Sequence, residues 1–219
     1  MKLYKKFEFE KASLYKIYFV ILPLFFLLSI QSKSQDRTFR AGLLGGINTS
    51  QIRGDGNVGF NKFGVAGGFF VQTTTSEHFT YQFELIFSQK GSRKYPDPDS
   101  LNNPVVGAFR IGLNYVEVPF LINYKLSHFH FIAGPSVGIL LGSKEEDYYS
   151  VITNNPPFRK YEVSLNLGAE WEFTEKFYVE ARYNFSVLPI RTGEQGFTLW
   201  YKGGTQYSHV VMIMGRYLF

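Results

Sequence analysis

The stretch YEVSLNLGAEWEF, from Tyr161 to Phe173, alternates strictly between apolar and polar side chains. A period of two is that of a β-strand with one apolar face and one polar face. The next run, Phe177 to Val187, repeats the alternation. These two runs indicate a protein built from strands, and the rest of the chain follows the same rule.

From residue 39 onward the alternation predicts eight strands. They lie at about 39–48, 60–73, 80–90, 109–125, 129–141, 160–173, 177–187 and 207–219. The fourth run changes its apolar face between Leu113 and Val116, which we interpret as a β-bulge. No helical period follows residue 35. The predicted fold class is all-β, an eight-stranded antiparallel up-and-down transmembrane β-barrel.

The connections between the predicted strands alternate in length. The second, fourth and sixth are short turns, whereas the others are mostly longer and carry turn residues such as Gly54-Asp55-Gly56 and Asn154-Asn155-Pro156-Pro157. Short turns at one end and long loops at the other are typical of outer-membrane barrels. An even strand number places both termini at the short-turn, periplasmic end.

The N-terminal segment has the features of an export signal. Lysines precede an apolar run from Ile17 to Ile30, and Ser32 and Ser34 occupy the −3 and −1 positions of a cleavage site before Gln35. Residues 1–34 are therefore predicted to be a signal peptide, and 35–219 the barrel domain. An uncleaved anchor is the alternative, because the run is interrupted by Pro23.

Composition excludes several classes of function. The chain has no Cys, which excludes disulfides and thiolate chemistry. The net charge is +5, but most of that excess lies before residue 35, and no later cluster of Lys or Arg suggests nucleic-acid binding.

The two faces of the predicted strands differ sharply in charge. The more apolar face of each run contains no Asp, Glu, Lys or Arg, as expected of a surface in contact with lipid. The opposite faces carry charges of both signs, which would line the lumen. The predicted lumen charge network consists of Glu84, Lys90, Glu117, Glu170, Glu180, Arg182 and Arg216. A soluble, exported, lipocalin-like ligand-binding barrel is the inverted alternative.

Aromatic residues cluster beside the short turns, where they would form a periplasmic girdle. They are Phe79, Tyr81, Tyr124, Phe129, Phe131, Phe173, Phe177, Tyr217 and Phe219. The last two close an alternating run and resemble the C-terminal signal that barrel-assembly machinery recognises. Tyr217 and Phe219 are thus the predicted assembly signal.

Several motifs resemble the PorT-like outer-membrane β-barrel family of Gram-negative bacteria. They are the runs Gly42–Asn48, Phe83–Gly91, Tyr115–Pro119 and Ala133–Gly138, in this order. The resemblance spans nearly all of the chain after the signal segment and implies a cell-envelope barrel. One namesake of the family is linked to protein secretion, but the resemblance does not extend that role to this chain.

No motif predicts catalysis, a cofactor or a metal. The glycine groups at 42–46 and 64–68 lie within strands, where close packing explains them better than phosphate binding. His128 and His130 have the spacing of a metal pair but no further ligand. Ser208 and His209 are neighbours on a strand and point to opposite faces. The acidic run 145–147 could bind a cation, but we interpret it as a solvated loop.

The sequence therefore predicts a non-enzymatic structural or interaction scaffold in the outer membrane. Its expected partners are membrane lipid, the assembly machinery during biogenesis, and an envelope protein reached through the long loops. A lipid-modifying enzyme with its active site at the rim is the alternative from a different functional class.

Overall fold

The computed structural model describes residues 39–55, 59–95, 109–147, 156–192 and 205–219. These contain nine strands. They are β1 (Phe39–Arg53), β2 (Lys62–Thr74), β3 (Phe79–Lys94), β4 (Phe109–Leu126), β5 (Phe129–Asp147), β6 (Tyr161–Glu172), β7 (Phe177–Ser186), β8 (Arg191–Thr192) and β9 (Thr205–Leu218). The predicted signal peptide lies outside the described residues, as do parts of each long loop.

Eight of the strands form one closed antiparallel ring. Its order is β1-β2-β3-β4-β5-β6-β7-β9, and β9 pairs with β1. Each strand therefore lies beside its neighbours in the chain, which confirms the predicted eight-stranded up-and-down barrel. The two-residue β8 pairs with β9 outside the ring, and no alternation predicted it. Within the described residues, no helix is long and apolar enough to span a membrane.

Glycines allow the wall to close between β9 and β1. A Cβ atom at Gly46 would lie 2.0 Å from the carbonyl oxygen of Ile213, and Gly45 is paired with Gly215 across the seam. The amide of Phe219 also donates a hydrogen bond of 3.0 Å to the carbonyl of Ala41. The glycine groups thus serve close packing of backbones, and neither precedes a helix as a phosphate loop requires.

The irregularity predicted in the fourth strand has a different structural cause. The pairing of β4 with β5 shifts by one residue between Asn114 and Tyr115, but the extra residue is on β5. Along β4 itself the alternation is unbroken: Ile111, Leu113 and Tyr115 face inward, as does Glu117. The apolar residues change face because the extracellular part of the interior is apolar. A register shift therefore lies where the β-bulge was predicted, but its extra residue is on β5, and it is not the cause of the change of apolar face along β4.

The barrel is polar inside and apolar outside over most of its height. On β6, Leu167 is 52% exposed on the outer surface, whereas its neighbour Asn166 is 1% exposed within the interior. Large apolar side chains on the outer faces of the other ring strands are similarly exposed, among them Phe63, Phe69, Phe83 and Phe131. A soluble barrel has the opposite arrangement, so the lipocalin-like alternative is contradicted.

The charged interior as the candidate functional site

All seven residues of the predicted charge network lie inside the barrel, each no more than 2% exposed. Alternation along β3, β4, β6, β7 and β9 places them there, since every second side chain of a closed sheet points to its axis. They form two groups. Glu84, Glu170, Glu180, Arg182 and Arg216 make a central cluster, and Lys90 and Glu117 belong to a second cluster nearer the long loops.

Arg182 holds the central cluster together. Its Nη1 and Nη2 atoms donate hydrogen bonds of 2.7 and 2.8 Å to the two carboxylate oxygens of Glu84. Its Nε atom also donates to Glu180, two residues earlier on the same strand. A planar guanidinium suits this bidentate geometry, and charge-assisted bonds of this kind are the stronger ones. One cation therefore joins carboxylates from two walls of the barrel.

Arg216 on β9 extends the cluster toward the periplasmic end. It forms an ion pair with Glu170 on β6, and its Nη2 atom donates to Gln72 at 3.0 Å and Gln82 at 2.5 Å. The guanidinium also lies over the ring of Phe70, 4.3 Å from its centroid. The network thus draws on β2, β3, β6, β7 and β9. Gln72 and Gln82 were absent from the predicted set, although their inward positions follow from the alternation.

His130 extends the central cluster beyond Glu170. Its Nδ1 atom lies 2.9 Å from Glu170 and its Nε2 atom 3.2 Å from Glu172, which also pairs with Lys125 at 2.7 Å. His128 is exposed in the turn and contacts the ring of Trp171 instead. The two histidines therefore do not share a site. Among the described residues, no group of three His, Cys, Asp or Glu could hold a metal ion.

The second cluster surrounds Lys90. Its ammonium lies 3.0 Å from both Glu117 and Glu162 and donates to Asn184 at 3.1 Å. Ser164 donates to the same oxygen of Glu162 at 2.7 Å. Lys90 is fully buried, so these carboxylates compensate a charge that would otherwise be costly to remove from water. Glu162 lies on the polar face of the alternating run from Tyr161 to Phe173, but the predicted network did not include it.

An apolar plug closes the extracellular end, and the sequence did not reveal it. Phe158 and Ile190, from two different loops, pack on the inward residues Ile52, Ile111, Leu113 and Tyr115. Since loops have no period, nothing in the alternation predicted that Phe158 and Ile190 would enter the barrel.

An ion pair covers this plug. Arg191 contacts Glu145 at 2.6 Å, and its guanidinium lies over the ring of Phe158, 3.6 Å from the centroid. Burial lowers the pKa of the Arg191 guanidinium, while Glu145 acts in the opposite direction. Our interpretation of the acidic run 145–147 as a solvated loop was therefore wrong, because these residues end β5 and Glu145 is buried and paired.

The comparisons with known proteins agree with this architecture. Residues 29–190 match a family model described as an outer membrane protein β-barrel domain. The chain belongs to this family. No curated protein is significantly similar in sequence.

Several solved barrels are similar to this outer-membrane protein in structure. Ail, the attachment invasion locus protein of Yersinia pestis, is 12% identical, with 82% of this chain and 98% of Ail covered and a TM-score of 0.46. Neisserial surface protein A is 9% identical, with coverages of 84% and 100% and a TM-score of 0.49. A de novo designed transmembrane β-barrel is 11% identical, with coverages of 86% and 100% and a TM-score of 0.38.

Membership of this family identifies the apolar outer surface as the one that meets lipid. Aromatic pairs lie on that surface beside the short turns, as in the interfacial girdles of outer-membrane barrels. Phe79 and Tyr124 have ring centroids 5.2 Å apart, and Phe129 and Trp171 are 4.3 Å apart. Tyr217 and Phe219, the predicted assembly residues, are exposed there as well.

Proposed function

We propose that this outer-membrane protein is a closed, non-enzymatic scaffold, with a charge-filled lumen that does not conduct and long loops that contact partners. One observation carries the proposal. Arg182 on β7 is bonded to Glu84 on β3, and in the ring these strands are four apart in either direction. The bridge therefore crosses the full width of the barrel.

The dimensions and energetics of a small barrel support a closed lumen. Eight strands enclose an interior just wide enough for side chains to fill. Here that interior holds two ion-paired clusters, one around Arg182 and one around Lys90, with the apolar plug above them. Opening a path for ions would require breaking buried pairs, and removing one partner of such a pair costs about 3–5 kcal/mol.

Planar-bilayer recording of the purified, refolded protein tests this proposal. We expect no stable conductance steps, while a general porin reconstituted in the same bilayers gives them. Steps of porin size from this protein would overturn the closed-lumen proposal, and would indicate an opening of both the Arg182 cluster and the plug, or an oligomeric pore.

The scaffold role requires a partner at the extracellular side. Tyr95, at the end of β3, is half exposed just beyond the strand and is suitable for a photo-crosslinking amino acid. We expect crosslinks to an envelope protein from Tyr95 in native membranes, and none from Tyr81, which lies on the periplasmic part of the lipid-facing surface. Identical crosslinked products from both positions would argue against a loop-specific partner. The PorT-like resemblance is consistent with an envelope role of this kind.

Biogenesis forms a second part of the proposal. We propose that residues 1–34 direct export and that Tyr217 and Phe219 on the closing strand are recognised by barrel-assembly machinery. Tyr217 on β9 and Phe219 directly after it both face outward, with ring centroids 6.2 Å apart. They are therefore accessible to an assembly factor while the seam between β9 and β1 is still open.

The geometry does not favour the alternative of an enzyme at the rim. Ser208 is buried in the interior, whereas His209 lies on the other face of β9 with its Nδ1 atom 2.6 Å from the hydroxyl of Tyr183. The histidine ring also stacks with Tyr183 and Phe185. A nucleophile and its base must lie within hydrogen-bond reach of each other, so these two residues do not form a catalytic pair.

A further inference from the structure

A basic depression lies on the outer wall of the barrel, at the extracellular end of β3, β4 and β5. Its volume is about 360 Å³. Among the described residues that line it, Arg110, Lys144 and Lys62 supply positive charge and Glu146 the negative charge, while Gln89 and Asn114 add hydrogen-bonding groups. Lys90 also borders it, but Glu117 and Glu162 balance that charge from inside.

The strand register explains why this depression exists. Across β4 and β5, Asn114 is opposite Gly142 and Gly112 is opposite Lys144. A Cβ atom at Gly142 would meet nothing within 4 Å, and one at Gly112 would have its nearest neighbour at 3.9 Å. The floor is therefore formed by backbone that lacks side chains, and long polar side chains stand around it.

The positive charges around the depression are not fully compensated. Arg110 is directly opposite Arg93 on β3, an arrangement of like charges that destabilises a sheet. Both guanidinium groups also lie within electrostatic range of Lys62. Glu146 is directly opposite Arg110 and also pairs with Lys144 at 2.5 Å, but among the described residues that line the depression it is the one carboxylate against Arg110, Lys144 and Lys62. An anion bound in the depression would relieve this repulsion.

The height of the depression indicates which anion is available. The outward pair Phe87 and Val116 belongs to the apolar surface, and the next outward pair along the same strands is Gln89 and Asn114. Two residues along a strand correspond to about 7 Å. The depression thus begins where the lipid-facing surface ends, at the level of the polar headgroups of the outer leaflet.

We propose that this depression binds the phosphate group of an outer-leaflet lipid headgroup. Arg110 supplies a fork of donors that matches phosphate oxygens, Lys144 adds a mobile ammonium, and Gln89 and Asn114 donate hydrogen bonds at the lower edge. The acyl chains of the same lipid lie along the apolar wall below. The site is separate from the two charge clusters in the lumen, because Arg110 and Lys144 lie on the exposed outer faces of β4 and β5.

Two variants of different kinds test the site in the full-length, refolded protein. Arg110→Gln combined with Lys144→Gln removes the charge, and Gly142→Leu fills the depression without removing any charge. Lys160→Gln, an exposed cation at the start of the strand beside β5, is the matched control. A heat-modifiability gel shows that each variant is folded before binding is measured.

Native mass spectrometry of the detergent-solubilised barrel measures retention of phosphatidic acid against phosphatidylcholine, with inorganic phosphate in a separate titration. We expect the wild type to prefer phosphatidic acid. Since a basic residue at an anionic surface contributes about fivefold in affinity, the double variant should lose roughly 25-fold of the preference. Gly142→Leu should lose it as well, and Lys160→Gln should keep it.

Three results would overturn the proposal. The first is a wild type without preference between the two lipids, and the second is an equal loss of preference in the Lys160→Gln control. The third is binding of inorganic phosphate as tight as that of phosphatidic acid, which would assign the depression to a soluble anion rather than to a headgroup.

Discussion

Arg182 and Glu84 join opposite walls of the barrel through two parallel hydrogen bonds of 2.7 and 2.8 Å. Both side chains are completely buried. Neighbouring strands of a barrel are linked by their backbones, but strands on opposite sides are linked only by what fills the interior. This contact therefore stabilises the barrel across its interior, as a packed core stabilises a soluble domain.

The first prediction concerns that contact. Arg182→Met should destabilise the barrel by about 3–5 kcal/mol, because it leaves Glu84 buried without its cation and Glu180 with only Arg216, 3.8 Å away. Adding Glu84→Gln to Arg182→Met should recover part of the loss, since one uncompensated charge is removed with the other. Urea unfolding in lipid vesicles, followed by the heat-modifiable shift on a gel, measures the difference.

A control keeps this prediction specific. Arg159 is an exposed arginine on a loop, and its side chain bonds to Thr192 at the surface. Arg159→Met should change stability by less than about 1 kcal/mol, as is usual for exposed polar contacts. Equal effects of the two arginine substitutions would show that the lumen bridge contributes nothing beyond an ordinary surface contact.

The alternation of side chains was sufficient to predict the ring and the inward direction of Glu180 and Arg182. It could not predict that Arg182 would bond to Glu84, because the partner across a lumen depends on the stagger of all the strands between them. The same limit applies to Lys90 and Glu162, which come together from β3 and β6. The alternation along one strand determines on which face a side chain lies. Closure of the ring determines which side chains it contacts across the lumen.

The apolar plug was unpredictable for a different reason. Phe158 and Ile190 lie in irregular segments, where no period indicates direction. On β4, Ile111 and Leu113 are apolar residues on the inner face, so a rule that assigns apolar residues to lipid misplaces them. The same rule would place Arg110 in the lumen, although it lies on the outer face of this strand. The rule fails where the strands rise above the membrane, because there the outside meets polar headgroups and water.

The second prediction tests the direction of the faces at mid-barrel. Leu167 lies at the middle of β6 and faces lipid, so Leu167→Arg should destabilise the barrel by about 2–4 kcal/mol. Leu167→Met is the control and should cost less than about 1.5 kcal/mol, since it conserves volume and apolar character. Refolding stability in vesicles measures both. If the arginine variant were as stable as the methionine variant, position 167 would not face hydrocarbon.

Asn166, the inward-facing neighbour of Leu167, is not expected to tolerate arginine, although the polarity of the lumen suggests that it would. Asn166 faces a lumen that already holds charges, which favours tolerance of an arginine. In the structure, however, Asn166 donates to Ser136 at 3.0 Å and accepts from Asn184 at 2.9 Å in a closely packed layer. An arginine there would break this layer and add an unpaired cation, so tolerance is not expected.

The third prediction concerns assembly. Phe219→Asp should lower the amount of folded protein in the outer membrane severalfold, because it places a charge on the closing strand where the assembly machinery is proposed to bind. Phe39→Asp is the matched control: Phe39 is also an exposed aromatic residue at the periplasmic end, but it lies on β1. Quantitative blotting of outer-membrane fractions gives the comparison. Normal levels of the Phe219→Asp protein would remove the basis for an assembly signal at this position.

The last prediction concerns the plug at the extracellular end. Arg159 follows Phe158, and its amide donates a hydrogen bond of 2.7 Å to the carbonyl of Ile190, which ties the two plug loops together. Phe158→Ala removes the ring that packs on Ile111 and Leu113 and that lies under the Arg191 guanidinium. The segment should then open more often, because segments held by fewer buried apolar contacts unfold locally more easily.

Trypsin provides the measurement, because Arg159 and Lys160 are exposed cleavage sites directly beside the plug. We expect cleavage of intact cells or vesicles at these two residues to be about tenfold faster in Phe158→Ala than in the wild type, which corresponds to roughly 1.4 kcal/mol of lost protection. Tyr161→Ala is the control, as it removes an exposed aromatic ring next to the same sites without reaching the plug. Equal acceleration in both variants would mean that the ring of Phe158 does not anchor the loop. Unchanged cleavage in the Phe158→Ala protein would mean that the backbone bond to Ile190 is sufficient to hold it.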